Sequence, residues 1–296
     1  MRVFAVIVPA LLAVLGGCGP EPMYQVRRSA LVMHPTPPLR TGAPMTEAVE
    51  LSARASTVLM PIAPHEARDA NADLHVARHN LATSVRFRVN ARWDLGLLFE
   101  TGLQRGSMAI AKDSLVLPDV TAVSGAGVTM QYAIPIDRHV SLGIAVDGLL
   151  VAVPYREIFH CIENCDGVSD FDRDATELTP VGRLALLPSY RDRGVTAYGG
   201  LTLVNHPVVA KHQVLGEWSP DRLDRVDPGP GYLLLSAGLD YRATPVVHLF
   251  AEGFVPVSSM VASYGPTIGF GLRFSLAELA AARAPAPAPG HGEAPR

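Results

Sequence analysis

Arginines and carboxylates recur on one side of a repeating alternation in this 296-residue chain. They are Glu50, Arg54, Arg86, Arg88, Arg92, Glu100, Asp147, Arg183, Asp240, Arg242, Glu252 and Arg273. Guanidinium groups on a common interior can line a water-filled passage that prefers anions. They can also pair with carboxylates and fill a narrow interior with an ion network, and the near match of acids and bases favours that second use. A further cluster is the stretch "HCIENCDGVSDFDRDATE". Cys161 and Cys165 would close a small disulfide loop in an oxidising compartment; a metal site shared with His160 is the alternative. Asp166, Asp170, Asp172 and Asp174 offer a landing place for divalent cations over residues 166–177. The calcium-loop pattern fails, since Ala175 stands where glycine is required and Val181 where a bidentate glutamate should be.

Hydrolytic chemistry needs a histidine with a carboxylate or hydroxyl partner. His75, His79, His160, His206 and His212 fall in loops that also hold Asp69, Asp73 and Glu217. Their spacing matches no catalytic pattern, and neither GxSxG nor HExxH occurs. The expectation is a protein without catalytic residues, resident metal or cofactor. A net charge of −3 excludes the basic footprint of a nucleic-acid binder.

Ten segments must position these side chains, near 49–60, 82–93, 95–104, 124–134, 139–152, 179–189, 194–205, 231–242, 245–256 and 265–275. Each alternates with period two, the mark of a strand with one apolar and one polar face. In 82–93 Val85, Phe87, Val89, Ala91 and Trp93 oppose Ser84, Arg86, Arg88, Asn90 and Arg92. Pro180 and Pro188 make 179–189 doubtful as a fully paired strand. Tight turns near 94, 135–138, 190–193 and 243–244 alternate with long connections at 61–81, 105–123, 153–178, 206–230 and 257–264. Such asymmetry belongs to an up-and-down antiparallel transmembrane β-barrel, here of about ten strands over 49–275. Aromatic residues gather at segment ends. Trp93, Tyr132, Tyr190, Tyr241 and Phe274 lie by the short turns, and Tyr155, Tyr232, Phe254 and Tyr264 by the loops, suggesting two girdles.

Ahead of the segments, Val3–Gly17 is an apolar run too short to span a membrane, so residues 1–17 read as a signal peptide. Prolines at 20, 22, 35, 37, 38 and 44 then forbid sustained helix or ladder, and residues 18–48 read as a periplasmic tether. A short helix and a Pro/Ala-rich tail are expected over 276–296.

Leu15-Gly16-Gly17-Cys18 resembles the lipobox of bacterial lipoproteins, which implies acylation of Cys18 and sorting to the outer membrane. Thr267-Ile268-Gly269-Phe270-Gly271-Leu272-Arg273-Phe274 is similar to the β-signal of Gram-negative outer-membrane proteins, although there the chain usually ends at the Phe. Together these resemblances imply outer-membrane lipids, the barrel-assembly machinery and the lipoprotein-sorting machinery as partners, with short turns and both termini in the periplasm. The role expected is structural, surface-display or narrow-pore. Omptin proteases and lipid A deacylases are also small barrels, so a rim-active hydrolase is the alternative, and a soluble β-sandwich or lipocalin-like lipoprotein a second.

Overall fold

A computed structural model describes residues 23–59, 72–104, 122–167, 169–208, 214–215, 227–258 and 265–276. Cys18, the signal peptide and residues 277–296 of the tail lie outside them. The elements are β1 (Met23–Val32), β2 (Val49–Val58), β3 (Ala72–Val76), β4 (His79–Arg88), β5 (Trp93–Leu103), β6 (Ala122–Pro135), β7 (Val140–Glu163), β8 (Phe171–Asp192), β9 (Val195–Val208), β10 (Val214–Leu215), β11 (Asp227–Arg242), β12 (Val247–Ser258) and β13 (Thr267–Ser275). Antiparallel pairing runs β8-β9-β11-β12-β13-β2-β4-β5-β6-β7, and β7 pairs with β8 to close the ring. Ten strands form the wall. Closure gives each of the ten strands a paired strand on both sides, so the ring itself has no free edge strand; beyond it, residues 171–182 of β8 pair with β7 alone.

Alternation along the strands becomes outside and inside. In β13, Phe270 and Leu272 face out while Thr267, Gly269 and Arg273 are buried inward. Outward Leu97, Val128, Leu150, Leu178, Leu203, Leu239 and Phe270 are each more than half exposed. Such a continuous apolar exterior has no second sheet over it. The soluble-sandwich alternative is thereby set aside, because a sandwich buries one face of each sheet beneath the other.

Several expectations are corrected. Most of the loop expected at 153–178 is strand, since β7 continues to Glu163 and β8 starts at Phe171, paired as a hairpin as far as Phe159 opposite Phe171. Pro180 and Pro188 sit on the outward side within β8, and pairing to β7 continues through both. Only on the β9 side does the register skip Leu187 and Pro188, as expected where a donor is missing. Two of the four residues expected in the loop-side aromatic girdle do not join one: Phe254 is buried inside the barrel and stacks on His34, and Tyr155 packs on the inner apolar cluster, while Tyr264 and the side chain of Tyr232 lie outside the described residues.

The largest correction concerns the tether expected over 18–48, of which residues 23–48 are described. Instead of a tether, β1 joins the sheet, pairing with the distal half of β7 from Met23 opposite Glu163 to Ala30 opposite Tyr155. The chain then turns into the barrel and is buried without interruption from Ala30 to Ala43. It leaves at the short-turn end, where Val49 opens β2 opposite Phe87. The prolines do prevent ladder pairing, but in the lumen rather than in solvent. Their fixed φ and missing donors keep the segment from joining the wall as another strand. Met23 therefore stands at the long-loop end and Ser275, bonded to Val246, at the short-turn end. The described chain ends lie at opposite ends of the barrel.

Gly42 makes the passage sterically feasible. A Cβ there would stand 1.5 Å from the carbonyl oxygen of Leu187, and one on Gly143 would stand 2.6 Å from the Gly42 Cα. Two backbones meet with no side chain between them. Gly143→Val should unseat the segment, so limited proteolysis should cut within 33–45 of the variant while the wall stays resistant; equal resistance in both proteins would contradict this packing.

Candidate functional site

Three layers fill the lumen. At the long-loop end the filling is apolar: Ala30, Leu31, Val32 and Met33 pack against Ala77, Leu98, Val123, Leu149, Val151 and Val153. His34 lies just below. Its Nδ1 faces the Ala77 carbonyl at 3.0 Å, which can only accept, so the ring proton sits on Nδ1 and Nε2 accepts from the Ser56 hydroxyl at 3.1 Å.

Mid-lumen, Arg54 is 1% exposed. Its Nη1 donates to Glu252 at 2.6 Å and to the carbonyl of Pro37 at 3.0 Å, so the wall holds the threaded segment by its backbone. Glu252 also accepts from the Tyr198 hydroxyl. Opposite, Arg183 makes a two-pronged contact with Glu100, at 2.6 and 2.5 Å, and lies 3.6 Å from Asp147. Parallel N–H donors to both oxygens of one carboxylate form the strongest ion-pair geometry available to arginine.

The third layer is nearer the short turns. Arg40, on the threaded segment, donates to Asp94 at 2.9 Å, to Gln131 at 3.4 Å and to Thr129. Thr129 in turn donates to Asp147 at 2.5 Å. Gln131 also donates to the Ala43 carbonyl, and the Gly42 N–H is taken by Ser189 Oγ at 2.7 Å. Below them Arg86 pairs with Glu50 and Asp94, while Arg273 joins Glu50 at 3.0 Å and Asp240 at 2.5 Å. Asp240 also meets His248 Nδ1 at 2.8 Å. Here a cavity opens at the mouth, lined by Thr41, Met45, Glu50, Arg86, Arg191, Thr196, Asp240, His248 and Arg273.

Of the charged residues read from the alternation, Glu50, Arg54, Arg86, Glu100, Asp147, Arg183, Asp240, Glu252 and Arg273 meet in this interior. Arg88, Arg92 and Arg242 do not. Each is exposed at a short turn, reaching Thr46 O, Tyr132 Oη and Pro245 O respectively. The alternation continues into a turn on paper, but there is no lumen there to face. Missed altogether were Asp94, one residue before its segment, and Arg40 and His34, whose proline-rich surroundings signal only the absence of a ladder.

On the outer hairpin Cys161 and Cys165 are joined in a disulfide. His160 Nδ1 meets Asp170 at 2.7 Å, and Asp170 also accepts from the Cys161 N–H at 3.0 Å. Those two hydrogen bonds hold the Asp170 carboxyl below its ordinary range. At the opposite end, the N–H groups of His139 and Val140 do the same for Asp137, which caps a tight turn. Among the described residues no three His, Cys, Asp or Glu side chains gather as a metal site. His79 is exposed at the start of β4. The side chains of His75, Asp73 and His206, and all of Asp69, His212 and Glu217, lie outside those described.

No family model and no curated protein sequence matches the chain. Among solved structures it is similar to an outer membrane channel from Pseudomonas putida F1 (10% identity, 81% of this chain and 99% of that one, TM-score 0.42). The NanC porin is another (12%, 76% and 98%, 0.35). The outer membrane protease OmpT of Escherichia coli is a third (11%, 86% and 97%, 0.33). At that level of likeness, what those proteins transport or cut does not carry over. The chain's own wall defines the class: a closed ten-strand antiparallel barrel with an apolar exterior and a polar, ion-paired interior, the architecture of outer-membrane barrels.

Stripping one member from a buried pair leaves a charge without compensation, which costs about 3–5 kcal/mol. Glu100→Leu, which leaves Arg183 and Arg54 underpartnered, should therefore lower the urea midpoint strongly. Glu100→Leu combined with Arg183→Met should recover most of the loss. A single variant as stable as the parent would mean that the network carries no energy.

Proposed function

We propose that this protein is an outer-membrane barrel of structural and surface-display character, acting without catalysis, whose own N-terminal segment closes its lumen and carries the chain's leading end to the cell exterior. The observation behind this reading is the unbroken burial of residues 30–43 inside the wall. Barrels of this class keep short turns on the periplasmic side and long connections outside. On that convention Met23, beside Glu163 on the long hairpin, is external, and Ser275 is periplasmic.

This topology alters the meaning of the lipobox resemblance. From Cys18 to Met23 is five residues, a reach of about 18 Å at full extension. The apolar band of such a barrel is about 25 Å tall. An acyl group on Cys18 is then an external anchor, and the periplasmic tether expected from the sequence is incompatible with the threading.

An epitope placed just before Met23 should be reached by antibody on intact cells, and one placed after Leu276 only after the outer membrane is permeabilised. The opposite pattern would reject the topology. The folded protein should also migrate differently boiled and unboiled, and Leu97→Arg, an outward position 61% exposed, should cost about 2–4 kcal/mol if it lies near mid-bilayer.

A further inference from the structure

Arg40 is the one guanidinium in the charged layers that comes from the threaded segment and not from the wall, among the described residues. It reaches Asp94 directly and Asp147 through Thr129. The remaining wall arginines nearby have better partners elsewhere. Arg86 lies 3.5 Å from Asp94 but contacts Glu50 more closely, and Arg183 lies 3.6 Å from Asp147 while both its Nη atoms donate to Glu100. One carboxylate oxygen of Asp147 has no hydrogen-bond partner at all. Without Arg40, Asp94 and Asp147 would keep only Arg86 at 3.5 Å and Arg183 at 3.6 Å, each of which is bound more closely to another carboxylate, and this level of the lumen would lose one positive charge.

The segment is packed in the lumen but is not held by a ladder. Four prolines, at 35, 37, 38 and 44, deny it ladder pairing, and it is held by isolated contacts at Arg40, Gly42, Ala43, Pro37 and His34. Residues so held separate from a wall more readily than a strand does, because each contact breaks alone. From these observations we infer that the barrel is a cation-preferring path held shut by residues 33–45: the segment is both the stopper and the counter-charge, and its displacement leaves Asp94 and Asp147 as the selective ring. Carboxylate rings favour small cations over anions, the reverse of the preference the arginine count alone suggests. This rests on the membrane-barrel reading above.

The test uses the full chain in planar bilayers under a KCl gradient, with boiled and unboiled gel mobility as the check on folding. Gly42→Trp cannot seat against Leu187 and should displace the segment; Arg40→Glu should expel it by repulsion from Asp94 and serves if the first variant does not fold. The parent should conduct little. Either folded variant should conduct severalfold more, with a reversal potential on the K+ side, and adding Asp94→Asn and Asp147→Asn should remove that preference. Folded variants that conduct no more than the parent, or that prefer Cl−, overturn the inference. If the parent shows no heat-dependent mobility, the barrel reading fails and the inference goes with it.

Discussion

Everything in this molecule follows from the closure of one antiparallel ladder. Once β7 pairs with β8, every wall residue points either out to an apolar surroundings or into a lumen of fixed girth. Ten strands enclose a space too wide for the wall side chains to fill alone and too narrow for a folded domain. An extended peptide fits, and residues 30–45 occupy it.

The interior solves a charge problem at the same time. A buried arginine is tolerable only with its donors satisfied and a carboxylate near it. Arg54, Arg183, Arg86 and Arg273 each have a carboxylate in reach, from the facing residue of the next strand for Arg86 and Glu50 to three strands away for Arg183 and Glu100, so the pairs tie neighbouring and more distant parts of the wall together. The threaded segment enters the same network through Arg40 and the Pro37 carbonyl. Filling and neutralising the lumen are therefore one event, and the chemistry of the passage depends on whether that segment is in place.

Glycine and aromatic positions show how tightly the two layers are fitted. A Cβ on Gly271 would strike the ring of Phe250, which points inward and packs on Leu39 of the threaded segment. Phe254 likewise faces the lumen, where it stacks on His34 and lies beneath Arg54. Large aromatic rings on an otherwise polar face look like errors of alternation until the peptide they hold is known.

Strand number, the outward apolar face and most of the inward ion network could be read from the residues in order. The reason is that a strand's two faces have period two regardless of what it meets. Neither the fate of the proline-rich segment nor the true length of β7 and β8 was visible in that pattern. Prolines report only that a backbone will not join a ladder, and solvent and a polar lumen satisfy them equally well. Which one holds here was decided by tertiary structure: by Gly42 and Gly143 meeting without side chains, by Asp94 and Thr129 waiting for Arg40, and by a closed wall whose girth leaves one strand's width to fill.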